Sequence, residues 1–585
     1  MDQDNPKAFV RADNMRIMWD VPILMDDGIV LRADIFLPDE PGRFATILSY
    51  GPYAKGLAFQ VGYKGAWDSM TAGCPEITQG TSSKYQNWET VDPEKWVPDG
   101  YVCVRVDSRG AGRSPGKLDP LSGREARDIH DCIEWASAQG WSNGKVGLNG
   151  ISYYAMNQWH AAALRPPHLA AICVWEGAAD HYRDVTRHGG IATQFYASWF
   201  NRQVLPLQHG YGERGYRSSV TGELVSGPET LTDEELAANR VDPDEDILTR
   251  PLDGEYYRSR SADLSRVAAP LLSSANWGGM GLHPRGNFEG FLSAGSSEKW
   301  LTVHGNSHYT PFYRNQGVAL QKKFFGHFLQ GEDTGWKSQP KVQLEVRRPG
   351  EHFTLRDEHE WPLARTEWTR FYLDPVTLGL STKPVAGEAR SYSTTGDGIT
   401  FKLPPAKTEL EITGPIAARL YVSSDTTDAD LFLALRLFAP DGEEVLFVGS
   451  NDPNVPIGLG WLRASHRKLD PKRSLPYRPY HTHDELQPLT PGRPVALDIE
   501  VLPTCIAVPP GYTLALNVRG CDYNHGQAGK SHGDFPYPMT GVGPFFHKDP
   551  RDRPPEVFGG INTLHFEQGQ EPYLLLPVIP QTKTS

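Results

Sequence analysis

The sequence contains few cysteines and no long apolar run. Its 585 residues include six cysteines, and no two of them form the Cys-x-x-Cys pattern of many zinc and redox sites. We therefore expect buried free thiols rather than a disulfide framework. No run approaches the roughly 20 apolar residues that a transmembrane helix needs. Residues Met1 to Pro6 lack the basic and apolar regions of a signal peptide, so a cytoplasmic location is the default expectation.

Basic residues are outnumbered by acidic residues. The chain has 58 Lys and Arg against 71 Asp and Glu, which gives a formal net charge of −13. Nucleic acids and anionic membranes attract clustered positive charge, so this balance argues against both as partners. The length of 585 residues exceeds what a single core supports, and we expect several domains.

The order of apolar patterns predicts the domain organisation. Strand-like and helix-like patterns alternate over residues 1–180 and again over 265–335, which indicates a parallel sheet with helical crossovers. Residues 181–264 interrupt this alternation with helical segments, including one over 191–204 and a capping-box start at Thr232, and are predicted to form an inserted cap. Over 336–585 helical patterns vanish, and short alternating strands predict a β-sandwich or jelly roll.

One stretch has the pattern of a nucleophile elbow. Residues 146–148 are typical of a short buried strand, Gly150 permits a tight turn, and the apolar spacing after Ser152 is helical. A sharp strand-to-helix turn lifts its apical serine above the sheet, next to a helix N-terminus that favours negative charge. Ser152 is therefore the candidate nucleophile. Because Gly-x-Ser also occurs in ordinary turns, a base, an acid and an oxyanion hole must support this interpretation.

His308 is the candidate general base. In this type of hydrolase the base comes last in chain order, and His308 follows the strand-like residues 300–304 in a glycine-containing loop. His304 lies inside that strand and is expected to be a packed structural residue. His481 and His483 have metal-like spacing, but their Pro-rich polar loop offers no supporting cysteine or carboxylate. We predict no metal and no cofactor.

Several motifs in order resemble the CocE/NonD family of serine hydrolases, which includes esterases and X-Pro dipeptidyl peptidases. The motifs are Gly51-Pro52-Tyr53, Asp107-Ser108-Arg109-Gly110, Trp141-Ser142-Asn143-Gly144, Gly150-Ile151-Ser152-Tyr153 and the C-terminal run Leu462 to Arg467. The resemblance implies an α/β-hydrolase core, an inserted helical cap and a C-terminal β-sandwich (jelly roll). It also implies that Ser152 is the nucleophile, His308 the base, and Tyr53, with the backbone N–H of Tyr153, the oxyanion hole.

The chain departs from the family pattern at the triad acid. The family carries an aspartate in a Gly-Trp-Tyr-Asp-like turn, and here the run Asn276 to Met280 places Gly279 at that position. Glu176, directly after the strand-like residues 169–175, can reach the same histidine from the adjacent strand. Burying an unpaired carboxylate directly after a buried strand would cost folding free energy, so Glu176 is expected to have a partner. We predict that Glu176 is the relocated acid.

Other readings of these carboxylates stay open. Glu289 on the following helix and Asp180 near the cap are further candidates for the acid. Glu176 could instead face solvent or pair with Arg183. Aromatic residues at the cap entrance (Trp199, Phe200 and Tyr196), together with Trp277, are candidate walls of a substrate pocket.

The sequence favours hydrolysis of a small carboxylic ester, or an amide, through an acyl-enzyme. An X-Pro dipeptidyl peptidase or acylase-type amidase is an alternative, and it would need cap carboxylates to bind a substrate ammonium. The available carboxylates are Asp184, Asp242, Asp244, Glu245 and Asp246. A degenerate hydrolase that only binds ligands is a second alternative, favoured by the missing turn aspartate. A homo-oligomer is compatible with the sequence, and residues 54–98 could form a lid or a subunit contact.

Overall fold

The computed structural model describes residues 10–527, 529–532 and 535–581. Residues Met1 to Pro6, on which the expectation of no signal peptide rests, lie outside these ranges. All six cysteines are free, as predicted, and four of them are buried. Among the described residues, no helix is long and apolar enough to cross a membrane.

A mostly parallel sheet forms the first part of the chain. Its strands, with the separate hairpin β8–β9, are β1 (Val10–Ala12), β2 (Met15–Leu24), β3 (Val30–Pro38), β4 (Phe44–Gly51), β5 (Tyr101–Asp107), β6 (Ser142–Ile151), β7 (Leu169–Trp175), β8 (Arg187–His188), β9 (Ile191–Ala192), β10 (Leu271–Asn276), β11 (Lys299–His304), β12 (Val342–Arg348) and β13 (His352–Glu358). The sheet order is β1-β2-β3-β5-β4-β6-β7-β10-β11-β12-β13. Neighbours from β5 to β12 are parallel, as the alternation of strand and helix patterns predicted.

Helices alternate with these strands along the chain. They are α1 (Phe59–Gly62), α2 (Lys64–Gly73), α3 (Pro93–Trp96), α4 (Gly123–Ser137), α5 (Tyr153–Ala163), α6 (Phe195–Trp199), α7 (Asp233–Ala238), α8 (Pro243–Leu248), α9 (Glu255–Arg258), α10 (Pro284–Ser293), α11 (Thr310–Tyr313), α12 (Asn315–Phe325) and, in the last domain, α13 (Pro555–Phe558). In α4 the buried residues Ile129, Ile133 and Ala136 share one face, and the Ser122 side chain caps the first turn.

The carboxyl ends of the parallel strands meet at one edge of the sheet. Tyr53 follows β4, Ser152 follows β6, Glu176 follows β7, Gly279 follows β10 and His308 follows β11. In open α/β sheets, ligands bind outside the carboxyl ends of the strands. The topology therefore gathers the predicted site residues at one place.

The chain between β7 and β10 forms short helical segments and one hairpin. The capping box predicted at Thr232 is present, with Glu235 as its partner. The helix predicted over 191–204 is wrong at its start, because Ile191–Ala192 is strand β9 and the helix α6 begins at Phe195. Gly189 and Gly190, both with positive φ, make the turn that pairs β8 with β9.

The last domain is a β-sandwich. Its strands are β14 (Glu367–Leu373), β15 (Leu380–Ser381), β16 (Gly387–Ser393), β17 (Ile399–Lys402), β18 (Leu410–Ser424), β19 (Asp430–Phe438), β20 (Glu444–Val445), β21 (Gly458–Arg463), β22 (Val495–Val508), β23 (Thr513–Arg519), β24 (Ile561–Phe566) and β25 (Tyr573–Ile579). Leu497, Ile499 and Val501 alternate along β22 and are fully buried, the period of two that a half-buried strand has. The prediction that helices vanish after residue 335 is wrong only for short pieces such as α13 and the 3₁₀ turn Ala464–His466.

Candidate active site

Ser152 lies at the apex of a tight turn between β6 and α5. Its backbone angles are φ 57° and ψ −114°, a strained conformation for a non-glycine residue. Gly150 permits this turn, because a Cβ there would lie 2.4 Å from the Tyr154 Cβ and 3.0 Å from the Glu89 carbonyl oxygen. The Ser152 side chain stays partly exposed above the sheet. This is the geometry of a nucleophile elbow.

The imidazole nearest to Ser152 belongs to His283, just before α10. Ser152 Oγ lies 3.2 Å from His283 Nε2, and the Ala178 N–H donates to His283 Nδ1 at 3.4 Å. A neutral imidazole whose Nδ1 accepts carries its proton on Nε2, so the ring donates to Ser152. Burial, and then the nearby His308, lower the pKa of His283 well below its ordinary value. His283 is therefore a neutral hydrogen-bond donor to the serine.

Glu176 contacts His308. Its Oε2 lies 2.8 Å from His308 Nδ1, and the Glu176 side chain is fully buried. Asn276 Nδ2 donates to Glu176 Oε1 at 3.0 Å, and Ser450 Oγ donates to Oε2 at 2.9 Å. The backbone N–H of His308 also donates to the backbone carbonyl of Ser450 at 3.0 Å. A buried carboxylate with this many donors is well satisfied, and it fixes the orientation of the His308 ring.

Gly279 leaves room for the Glu176 carboxylate. A Cβ built on Gly279 would lie 3.4 Å from Glu176 Oε2 and 2.9 Å from Ser450 Oγ. A side chain at residue 279 would therefore compete with Glu176 for the same volume. The glycine in the turn and the glutamate on the adjacent strand are complementary features of one site.

A second carboxylate, Glu89, contacts the other nitrogen of His308. Glu89 Oε1 lies 3.0 Å from His308 Nε2, and the Glu89 residue is 2% exposed. Burial lowers the pKa of His308, but Glu176 and Glu89 together outweigh it and raise that pKa to about 10. His308 is thus an imidazolium held between two buried carboxylates near neutral pH.

Tyr53 and Tyr153 lie beside the elbow, with their rings in edge contact at 6.1 Å between centroids. Trp199 Nε1 donates to the Tyr53 hydroxyl oxygen at 2.9 Å, which leaves the phenolic hydrogen free to donate elsewhere. Burial, and then Glu89, raise the pKa of Tyr53 well above its ordinary value, so the phenol stays protonated. Tyr153 is the first residue of α5, and its N–H has no acceptor within the helix.

The aromatic residues predicted as pocket walls separate into two groups. Trp199, Phe200 and Tyr196 belong to the buried cluster that also contains Tyr53. Trp277 belongs to another cluster, where it packs against Phe288 and Trp361 and donates from Nε1 to the Glu345 carbonyl. The structure therefore does not bring Trp277 together with Tyr53 and the other predicted wall residues.

The other candidate acids have partners elsewhere. Glu289 pairs with Arg478 at 2.9 Å. Asp180 accepts from the N–H groups of Tyr182 and Arg183 and pairs with the Arg183 guanidinium. Arg183 thus pairs with Asp180 rather than with Glu176.

His481 and His483 are buried among other histidines. His483 Nδ1 lies 3.0 Å from His466 Nδ1. In the part of the chain that the structure describes, no group of three or more His, Cys, Asp or Glu side chains is placed to hold a metal ion.

Sequence reasoning missed Glu89 and His283. Glu89 lies in the aperiodic segment 54–98, for which the sequence allows either a lid or a subunit contact. This segment packs against the site: the ring of Trp88 contacts the ring of Tyr309, the residue after His308, at 5.5 Å between centroids. A carboxylate between Trp88 and Val91 was an available signal, because a lone charge in an apolar context needs a partner. His283 follows Gly279 by four residues and offered no comparable pattern.

The elbow, the buried histidine–carboxylate pair and the parallel sheet define a serine hydrolase of the α/β type. Comparison with known families agrees with this class. The profile of the X-Pro dipeptidyl-peptidase (S15) family matches residues 27–310, and that of the X-Pro dipeptidyl-peptidase C-terminal non-catalytic domain matches residues 334–575.

The chain belongs to the CocE/NonD family of hydrolases. A solved CocE/NonD family hydrolase from Staphylococcus aureus is 30% identical in sequence to this chain. The two structures superpose with a TM-score of 0.83 over 99% of each chain. Cocaine esterase from Rhodococcus sp. is 26% identical over 515 residues, which span 74% of this chain and 82% of that protein. An α-amino acid ester hydrolase shares the fold at 16% identity and a TM-score of 0.66. The predicted fold class, an α/β-hydrolase core followed by a β-rich C-terminal domain, is confirmed.

Proposed function

We propose that this hydrolase cleaves a small carboxylic ester through an acyl-enzyme on Ser152. The observation that carries the proposal is the 2.8 Å contact between Glu176 and His308. An acid, a base and a strained serine gathered at one sheet edge are what acyl transfer requires. A degenerate fold that only binds ligands would have no need for a buried carboxylate in the volume left free by Gly279.

In this mechanism Ser152 Oγ turns from His283 toward His308 Nε2 and attacks the ester carbonyl. His308 takes the serine proton and later gives it to the leaving alcohol, while Glu176 accepts from Nδ1–H and keeps the ring oriented. The hydroxyl of Tyr53 and the N–H of Tyr153 hold the oxyanion of the tetrahedral intermediate. Water activated by His308 then releases the acid.

His283 is a poorer candidate for the base although it is closer to Ser152. Its Nδ1 accepts from the Ala178 N–H, so Nε2 already carries a proton in the neutral ring. A ring in that tautomer cannot accept the serine proton. We therefore assign His283 to holding the resting Ser152 side chain.

Most of the cap carboxylates considered for binding a substrate ammonium are already engaged, which favours an ester over a peptide substrate. Asp184 pairs with Arg285, Asp244 with Arg551 and Asp246 with Arg250, and Asp242 caps α8, whereas Glu245 on α8 is exposed to solvent. A peptidase that recognises a substrate ammonium needs carboxylates that are not already paired. The match to the S15 profile keeps X-Pro dipeptidyl amides as the second candidate class.

A burst experiment tests the proposal. Wild type should release p-nitrophenol from short p-nitrophenyl esters in a burst equal to the active sites, and Ser152→Ala should show neither burst nor labelling by an organophosphonate. Ser137→Ala is the matched control, because that hydroxyl only bonds the Glu134 carbonyl on α4. An unchanged burst in Ser152→Ala would contradict the assignment. Faster turnover of X-Pro p-nitroanilides than of esters would favour the amide class.

A further inference from the structure

His308 Nε2 is the atom that must receive the serine proton, and a carboxylate already contacts it. Glu89 Oε1 lies 3.0 Å from that nitrogen, while Ser152 Oγ bonds His283 instead. One ring nitrogen cannot hold both partners in a single well-formed hydrogen bond. The free enzyme therefore has its base engaged away from its nucleophile.

The backbone of Glu89 is built into the elbow. The Glu89 carbonyl accepts from the Ile151 N–H at 3.0 Å, one residue before the nucleophile. Glu89 itself has φ 61°, a left-handed conformation that is uncommon for a residue with a long side chain. The surrounding structure thus holds a strained residue where its carboxylate meets His308.

We propose that Glu89 is a latch: it holds the Nε2–H of His308 in the free enzyme and yields that nitrogen to Ser152 when substrate enters. This inference rests on the proposed function, in which His308 is the base. On opening, Glu89 leaves Nε2 and the Nε2 proton passes to solvent, with no other bond made or broken. Glu89 is a positioning residue, because it acts through His308.

Few charged groups face His308. Glu176 and Glu89 contact its two nitrogens, His283 stacks on the ring at 5.3 Å between centroids, and Tyr309 lies edge-on at 6.5 Å. Burial, with a smaller contribution from Glu89, raises the pKa of four nearby phenols, which stay protonated: Tyr53, Tyr63, Tyr154 and Tyr313. The two carboxylates are therefore the charges that decide whether the His308 ring is protonated.

The sign of the pH effect follows from this arrangement. Each carboxylate stabilises the imidazolium, so both raise the pKa of His308, and the neutral base exists only above that pKa. The pH profile of kcat/KM reports the free enzyme and that of kcat reports the substrate complex. Both kcat/KM and kcat should increase as the pH rises. A latch that opens when substrate binds predicts that the increase in kcat/KM has its midpoint at a higher pH than the increase in kcat.

The test compares Glu89→Gln with wild type on a p-nitrophenyl ester. Removing the charge should move the midpoint of kcat/KM to lower pH and close the gap to the midpoint of kcat. For a downward shift of about one pH unit, kcat/KM below the midpoint rises about tenfold. Midpoints do not depend on the folded fraction, so partial misfolding of the variant leaves the test intact. Asp68→Asn, an exposed carboxylate of the same segment paired with Lys64, is the matched control and should leave both midpoints unchanged.

Two results would overturn the latch. Unchanged midpoints in Glu89→Gln would show that Glu89 does not hold the base. Loss of turnover at every pH, with phosphonate labelling of Ser152 retained, would make Glu89 an essential participant instead. Failure of the proposed function itself looks different, because Ser152→Ala would then keep its activity in the same assay.

Discussion

At the scale of single residues, the proposed triad takes its acid from one of two neighbouring strand ends. Residue 279 carries no side chain, and the carboxylate of Glu176 lies 3.4 Å from where its Cβ would be. The two positions flank His308 from adjacent parallel strands, β7 and β10. We therefore expect that a carboxylate at position 176 or at position 279 can accept a hydrogen bond from His308.

This arrangement predicts a rescue. Glu176→Ala should lose most of its kcat, and adding Gly279→Asp should recover at least about tenfold, because the new carboxylate enters the vacated volume. Gly279→Ala in the Glu176→Ala background is the matched control, since it adds the Cβ without the charge. Equal rates for the two double variants, measured by steady-state ester hydrolysis, would contradict the shared position.

Tyr53 carries a second prediction at this scale. Tyr53→Phe should lower kcat by about 10²–10³ with little change in KM, since an oxyanion donor acts mainly in the transition state. Tyr63→Phe is the control, because that ring packs beside Tyr53 at 6.1 Å without a role in the proposed hole. A comparable loss in both variants would point to packing rather than to catalysis.

At the scale of elements, a loop of the β-sandwich completes the site. Residues 447–455 place Ser450 beside Glu176 and His308. The Ser450 hydroxyl donates to Glu176, and the Ser450 backbone carbonyl accepts from the backbone N–H of His308. The sandwich therefore contributes to the position of the proposed acid and the proposed base, although it carries neither.

Ser450→Ala should weaken this support. Loss of one hydrogen bond to a buried carboxylate costs about 1–3 kcal/mol, and we expect kcat to fall about fivefold or more with the fold retained. Ser423→Ala, a sandwich serine that contacts His565, is the control. Rates for Ser450→Ala equal to wild type would show that the loop plays no part in orienting Glu176.

The sequence predicted those elements whose residues form a local pattern. The strand ending at Trp175 is a continuous apolar run, and the strand ending at Ile151 carries a short apolar core over residues 146–148; their parallel order followed from the helices between them. Ser152 and Glu176 could be placed because each directly follows such a strand, and His308 because it lies in the loop just after β11. Glu89 could not, because its segment has no period and its partner is 219 residues away in the chain. The contact exists only once the sheet brings both loops to one edge.

At the scale of the whole molecule, buried ion pairs join the cap to the sandwich. Asp552 pairs with Arg187 from the cap at 2.8 Å and with Arg463 from β21 at 2.9 Å. Burial would raise the pKa of Asp552, but the Arg463 and Arg187 guanidiniums outweigh it and lower that pKa to about 2.

This network predicts acid-dependent stability. A carboxyl whose pKa is lower in the folded state stabilises the fold above its unfolded pKa and loses that effect as the pH falls toward the folded pKa. Asp552 should contribute about 2 kcal/mol that disappears between about pH 4 and pH 2. Denaturant unfolding across this range should show a flatter pH dependence for Asp552→Asn than for wild type. Parallel curves would contradict the assignment.

The most direct test of the central claim is the acylation rate of Glu176→Gln in a stopped-flow burst experiment, with Glu289→Gln as its control. Glutamine keeps the size of the side chain but no longer fixes the tautomer of His308, so acylation should slow by on the order of 10³–10⁴. Glu289→Gln, which loses only the pair with Arg478, should stay near wild type. Wild-type acylation in Glu176→Gln would show that the triad acid is another residue.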